Sequence, residues 1–163
     1  MMQNNDIIRR IRYTFEFKDS KMIEIFALAD SEVTRAQISN WLKKQGDPSF
    51  TELTDHDLAL FLNGLIVLKR GKKDGPAPIV ERQLNNNIIL RKLKIALDLK
   101  DVDVLEILKL VDVNISKHEL SAFFRKPDHN HYRPCMDQML RNFIHGMQIK
   151  YHPNKPNSTE TNN

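Results

Sequence analysis

The sequence predicts an all-α protein built as two homologous four-helix modules in tandem, related by a pseudo-twofold, and three observations lead there. Shifting the chain by 82 positions superimposes residues 4–71 on 86–153 without a gap, with sixteen identical pairs in 68 positions where roughly four would arise by chance. Apolar residues recur at helical rather than alternating spacing in the segments of both copies. Glycine is scarce, five residues in 163, and a 40% hydrophobic content is enough for one or two small cores.

Each copy reads as four helices, and a pattern kept by two diverged copies marks a physical requirement. The first helix, over about 5–17, carries Ile7, Ile8, Ile11 and Phe15 on one face, echoed by Ile89, Leu90, Leu93 and Leu97, with Arg9, Arg12 and Glu16 opposite. Asn4, Asn5, Asn86 and Asn87 stand where N-caps are expected. The second helix follows Asp19 or Asp101, read as N-caps, and buries Met22, Ile23 and Phe26, or Val104, Leu105 and Leu108. The third opens on a capping box, Thr34-Arg-Ala-Gln37 in one copy and Ser116-Lys-His-Glu119 in the other. Val33 with Ile38, and Ile115 with Leu120, form the hydrophobic staple. Its buried stripe is Ile38, Trp41 and Leu42, matched by Leu120, Phe123 and Phe124.

After a looser connection the fourth helix runs over about 55–69. Leu58, Phe61, Leu62 and Leu65 share one side, with Leu140, Phe143, Ile144 and Met147 as equivalents. Gly64 and Gly146 fall in the middle of it, where glycine costs ~1 kcal/mol relative to alanine. Its retention in both copies predicts that another backbone passes close by, and the glycine-bearing helices are expected to line part of the interface between modules. Gly75, Pro76 and Pro78 mark residues 72–85 as a linker between repeats at 4–71 and 86–153. Residues 154–163 have no apolar content and are expected to be disordered.

Lys and Arg exceed Asp and Glu by 25 to 21, a formal charge of +4 that favours polyanions weakly. The single cysteine, Cys135, excludes an intrachain disulfide and a cysteine-only zinc site, in keeping with a cytoplasmic location. No apolar run approaches the ~20 residues that span a bilayer, so no membrane partner is expected, and the N-terminus carries no signal-peptide pattern.

The stretches NNDII at Asn4, WLKK at Trp41, FLNGLI at Phe61, KRG at Lys69, NNNI at Asn85 and KPDH at Lys126 resemble the YehS-like family of small bacterial proteins, over nearly everything before residue 153. The resemblance implies two copies of a helical domain of unknown function and a proteobacterial source. It brings no substrate, cofactor or catalytic residue; the asparagine-rich tail departs from the family pattern.

The most concrete functional pattern is a helix-turn-helix. A turn over 30–33 leads into the capped third helix, which presents Arg35, Ser39, Asn40 and Lys43, with Lys117, Ser121 and Arg125 at matching places in the second copy. Arginine and asparagine suit base edges and lysine suits phosphate. Basic clusters add a second surface: Arg9, Arg10 and Arg12 with Arg91, Lys92 and Lys94, and Lys69, Arg70, Lys72 and Lys73 beside the linker. The same charges also describe an ordinary solvated helix face. His129, His131 and Cys135 follow no strong zinc spacing, and the first copy has Asp47, Ser49 and Leu53 there, so Cys135 reads as a small buried hydrophobe. Asp55, His56 and Asp57 resemble an acid-base cluster but sit where a helix dipole favours acids. No phosphate loop, metal-binding histidine pair or nucleophile elbow is present. The reading is therefore a non-enzymatic cytoplasmic binding protein without cofactor or metal, with DNA or RNA as preferred partner. The alternative is a protein–protein adaptor using an apolar groove between modules, and an enzyme comes third.

Overall fold

The structure, a computed structural model, describes residues 2–153, so the expected disorder of 154–163 lies outside the described residues. Eight helices and no strand occur among them: α1 (Asn4–Phe15), α2 (Asp19–Leu28), α3 (Arg35–Leu42), α4 (Asp55–Arg70), α5 (Asn86–Ala96), α6 (Asp101–Lys109), α7 (Lys117–Ala122) and α8 (Asp137–Tyr151).

Both capping boxes form. The Thr34 hydroxyl accepts from the Gln37 amide at 3.1 Å while the Gln37 side chain accepts from the Thr34 amide at 2.8 Å, and Ser116 and Glu119 repeat the exchange. Other caps differ from expectation. Gln3 and Asn85 cap α1 and α5, and Lys18 and Lys100 precede α2 and α6, so Asn4, Asn5, Asn86, Asn87, Asp19 and Asp101 lie inside the first turn. The asparagines are bonded to another part of the chain, and the aspartates complement the helix dipole from within. α7 is also shorter than its equivalent. The chain tightens there into i→i+3 bonds, Phe123 amide to Leu120 carbonyl and Phe124 amide to Ser121 carbonyl at 3.1 Å, so Phe123 and Phe124 lie just past the helix, half-buried. At equivalent places in the two copies, Glu16, Asp98, Asp30 and Asp112 take the left-handed conformation with φ between 52° and 59°, closing the first and second helices where glycine is the commoner choice.

Inside each module the fourth helix packs on the second, and the third on the second. Across modules, α4 lies along α5 and α8 along α1. These cross pairs are parallel. Arg70 at the end of α4 meets Asp98 beyond the end of α5, and His152 after α8 stacks on Tyr13 near the end of α1 at 4.2 Å between ring centroids. A single cluster of buried side chains, including Phe26, Phe61, Phe143 and the isoleucines of α1, runs through both modules.

The glycines show why their helices tolerate a missing side chain. A Cβ on Gly64 would penetrate the Ile25 carbonyl of α2, and one on Gly146 the Ile107 carbonyl of α6. The close approach is thus to the second helix of the same module, while other residues of α4 and α8 form the seam between modules. Gly64→Ala and Gly146→Ala should each lower stability by ~2–3 kcal/mol in urea unfolding, because overpacking against backbone outweighs the gain of ~1 kcal/mol in helix propensity. Midpoints equal to wild type would contradict the packing described.

Candidate nucleic-acid interface

The chain ahead of each fourth helix is held by a side-chain clamp. Asn5 donates through Nδ2 to the carbonyls of Trp41 at 2.9 Å and Thr51 at 2.8 Å, and its Oδ1 accepts from the Leu53 amide at 3.0 Å. Asn87 repeats all three bonds on Phe123, Arg133 and Cys135. Trp41 and Phe123 stand at the end of the third helix of each copy, and the others belong to the irregular connection before α4 or α8, so neither set has a helical ladder to satisfy these backbone groups. Asn4 in turn donates to the Leu53 carbonyl and to Asp55 at 2.7 Å, and the other Asp55 oxygen accepts from the Leu84 amide, just ahead of the other module's first helix. Asn86, Asp137 and the Met2 backbone form the counterpart. Arg9 and Arg91 reach from α1 and α5 to the carbonyls of Lys43 and Phe124.

These bonds consume much of the basic stripe on the first helices. Arg9 is tied to Asp6 and to the Lys43 carbonyl, Lys92 to Glu81 and Asn63, and Lys94 to Asp101. Two members of that stripe, Arg91 and the Asp101-paired Lys94, also meet basic residues of α4 and the linker at one place. Where the end of α4 meets α5, Arg70, Lys73, Arg91 and Lys94 surround an open hollow of about 420 Å3, with Ile95, Leu99 and Phe124 as apolar wall and Asp98 as the only acid in the lining. Arg70 bonds to Asp98 at 2.7 Å and to the Ile95 carbonyl at 3.2 Å, which fixes its guanidinium at the rim. Lys94 lies 4.5 Å over the centre of the Phe124 ring. A phosphate oxygen entering this hollow would meet cations from three elements and an aromatic face beside them.

The sequence-derived contacts distribute differently. Arg70 and Lys73 line the hollow, Lys72 is exposed on the linker, and Lys69 is turned onto the Phe15 ring at 4.5 Å. On the helix-turn-helix elements, Arg35 and Lys117 are exposed, while Ser39, Asn40, Lys43 and Arg125 are half-buried. The Ser121 hydroxyl bonds back to the His118 carbonyl at 2.9 Å. α3 packs on α1 and α2, and α7 on α6, so each stays with its own module. Arg91 and Lys94 entered the sequence reading only as a helix stripe; their meeting with Arg70 and Lys73 depends on the parallel pairing of α4 with α5.

His129 and His131 are exposed with ring centroids 5.5 Å apart, whereas Cys135 is buried, its amide held by Asn87. No group of three or more His, Cys, Asp or Glu placed to hold a metal ion occurs among the described residues. Burial, with the nearby Asp137 charge, pushes the Cys135 thiol up to about 11, so it stays protonated at neutral pH. No helix among the described residues is long and apolar enough to cross a membrane.

Comparison with known proteins finds one unit matched twice along the chain. A family described as a protein of unknown function (DUF1456) matches residues 4–71 and again 86–152. The chain is similar to a protein of Escherichia coli (strain K12) described as Uncharacterized protein YehS, at 43% identity over 155 residues, which cover 94% of this chain and 99% of that relative. No solved structure matches.

The clamps carry a pH signature. Hydrogen bonds, that from Asn86 foremost, hold the Asp137 carboxyl below its ordinary value of 3.8. A depressed carboxyl stabilises the fold above the unfolded-state pKa and loses that contribution as pH falls through the folded-state value. Asp137→Asn should therefore be less stable than wild type at pH 7, with the gap closing in acid; a gap that is constant across a pH series of urea melts would contradict the assignment.

Proposed function

Because the chain belongs to the DUF1456 family, to which no activity is attached, its function has to be argued from its own surface, and we propose that it is a non-enzymatic cytoplasmic protein that binds nucleic acid at the α4–α5 hollow. The supporting observation is the convergence of Arg70, Lys73, Arg91 and Lys94 on one open hollow with a single carboxylate in its lining. Clustered cations release counterions from a phosphate backbone, the main source of sequence-independent affinity. Phe124, one face of which is covered by Lys94, offers with the Leu99 and Ile95 side chains an apolar surface for a sugar or base, which favours single-stranded over duplex partners. Lys72, exposed next to Lys73 on the linker, extends the basic surface. The non-enzymatic part is supported by the one cysteine, Cys135, being buried and protonated rather than poised as a nucleophile. The adaptor reading is less well supported, since the charged hollow at the α4–α5 seam is no apolar groove.

Gel shifts with single-stranded RNA and with duplex DNA at low salt test this. Binding should weaken with salt along a logarithmic slope of about −2 to −3, as for about three phosphate contacts, and Lys73→Glu, in an exposed part of the linker, should weaken it about tenfold. Arg35→Ala should change it less, by about twofold. No shift with either nucleic acid, or full affinity in Lys73→Glu, would reject the proposal.

A further inference from the structure

Where α1 meets α8, a second open hollow of about 390 Å3 is lined by Arg10, Gln138, Arg141, Asn142, His145 and Gln148. Two guanidinium groups and an imidazole face it, with no carboxylate in the lining. By the 82-residue shift, Arg10 corresponds to Lys92 and His145 to Asn63. At that equivalent place the groove is filled. The linker runs back along the α4–α5 seam, where Asn63 Nδ2 donates to the Ile79 carbonyl at 3.4 Å and Lys92 pairs with Glu81 at 2.9 Å. Val80 packs against the core between them, and the Leu84 amide closes onto Asp55. The molecule thus holds its own example of an irregular, acid-bearing segment seated in this groove.

We propose that the α1–α8 groove docks an extended acidic peptide segment of a partner protein, with a carboxylate on Arg10 and Arg141 and a backbone carbonyl accepting from His145, as Glu81 and Ile79 do on Lys92 and Asn63. Guanidinium groups pair with carboxylate through paired N–H donors. Gln138 accepts from Arg141 at 3.3 Å and donates to Asn142 at 3.0 Å, which orients both, and the Asn142 amide nitrogen and Gln148 add neutral groups suited to a peptide backbone rather than to phosphate oxygens, which only accept. The residues are distinct from those of the nucleic-acid hollow, so the two proposals stand or fall separately.

The test is fluorescence anisotropy of a labelled peptide copying residues 76–84 with Gln in place of Arg82, so that Glu81 is its one charged side chain, titrated with the full chain up to about 1 mM. The expected result is saturable binding, weakened about tenfold by Arg141→Glu and by Glu→Gln at the peptide position matching Glu81, and unchanged in Lys73→Glu. Arg141 is exposed, so circular dichroism should report an intact fold. No saturation, or equal affinity in Arg141→Glu, overturns the proposal. Binding by a chain ending at residue 153 but not by the full chain would assign the groove to the protein's own C-terminal segment, and a dimer dissolved by Arg141→Glu would assign it to a second copy; either overturns a partner peptide. Loss of RNA affinity in Arg141→Glu with peptide affinity unchanged would make the groove a phosphate site and also overturn it.

Discussion

The fold depends on an asparagine side chain doing what a helix or strand would otherwise do for backbone. The connection between the third and fourth helices is irregular, and Asn5 and Asn87, from the first turn of α1 and α5, each satisfy one carbonyl at the end of the third helix and one carbonyl and one amide of the connection. A buried carbonyl or amide left unpaired costs ~1–3 kcal/mol, so each asparagine governs several such penalties at once. With the connection fixed, Asp55 and Asp137 stand at the head of the fourth helices, where each takes an asparagine of its own module and a backbone group that opens the other. Local order inside a module and registration between modules therefore share the same residues.

Duplication made two seams, and the copies have diverged in what fills them. On the α4–α5 seam the linker occupies the middle, while the end is open around Arg70 and Lys73. On the α1–α8 seam the end is closed by His152 stacked on Tyr13, with Glu16 3.7 Å from the imidazole, while the middle is open around Arg10 and Arg141. Equivalent positions thus serve as packing in one half and as accessible cationic surface in the other. Shared residues maintain the fold; the functional candidates lie where sharing stops.

This division explains what could be read from the chain. The repeat, the capping boxes and the apolar stripes were legible because they arise from local spacing and appear twice. The mid-helix glycines pointed to a close backbone, though not to which one, since that depends on the packing of α4 on α2 and α8 on α6. The asparagines look like caps in the sequence because N-cap chemistry is the short-range use of that side chain, whereas their partners lie 36 to 51 residues away. The hollows were out of reach for the same reason. Arg91 and Lys94 look like any solvated helix face until α4 is known to run beside α5, and Arg141 and His145 have no signal apart from their partner Arg10 on α1.

The account's central claim is that the clamps make the two modules one cooperative unit. Trp41, the only tryptophan, reports on the first module, next to the Asn5 clamp. Urea unfolding of Asn87→Ala, followed by Trp41 fluorescence and by far-ultraviolet circular dichroism, tests the claim from the opposite half. The account predicts that both midpoints fall together in one transition. A Trp41 midpoint left at the wild-type value, with a biphasic dichroism curve, would mean that the halves fold independently and that the shared residues do not couple them.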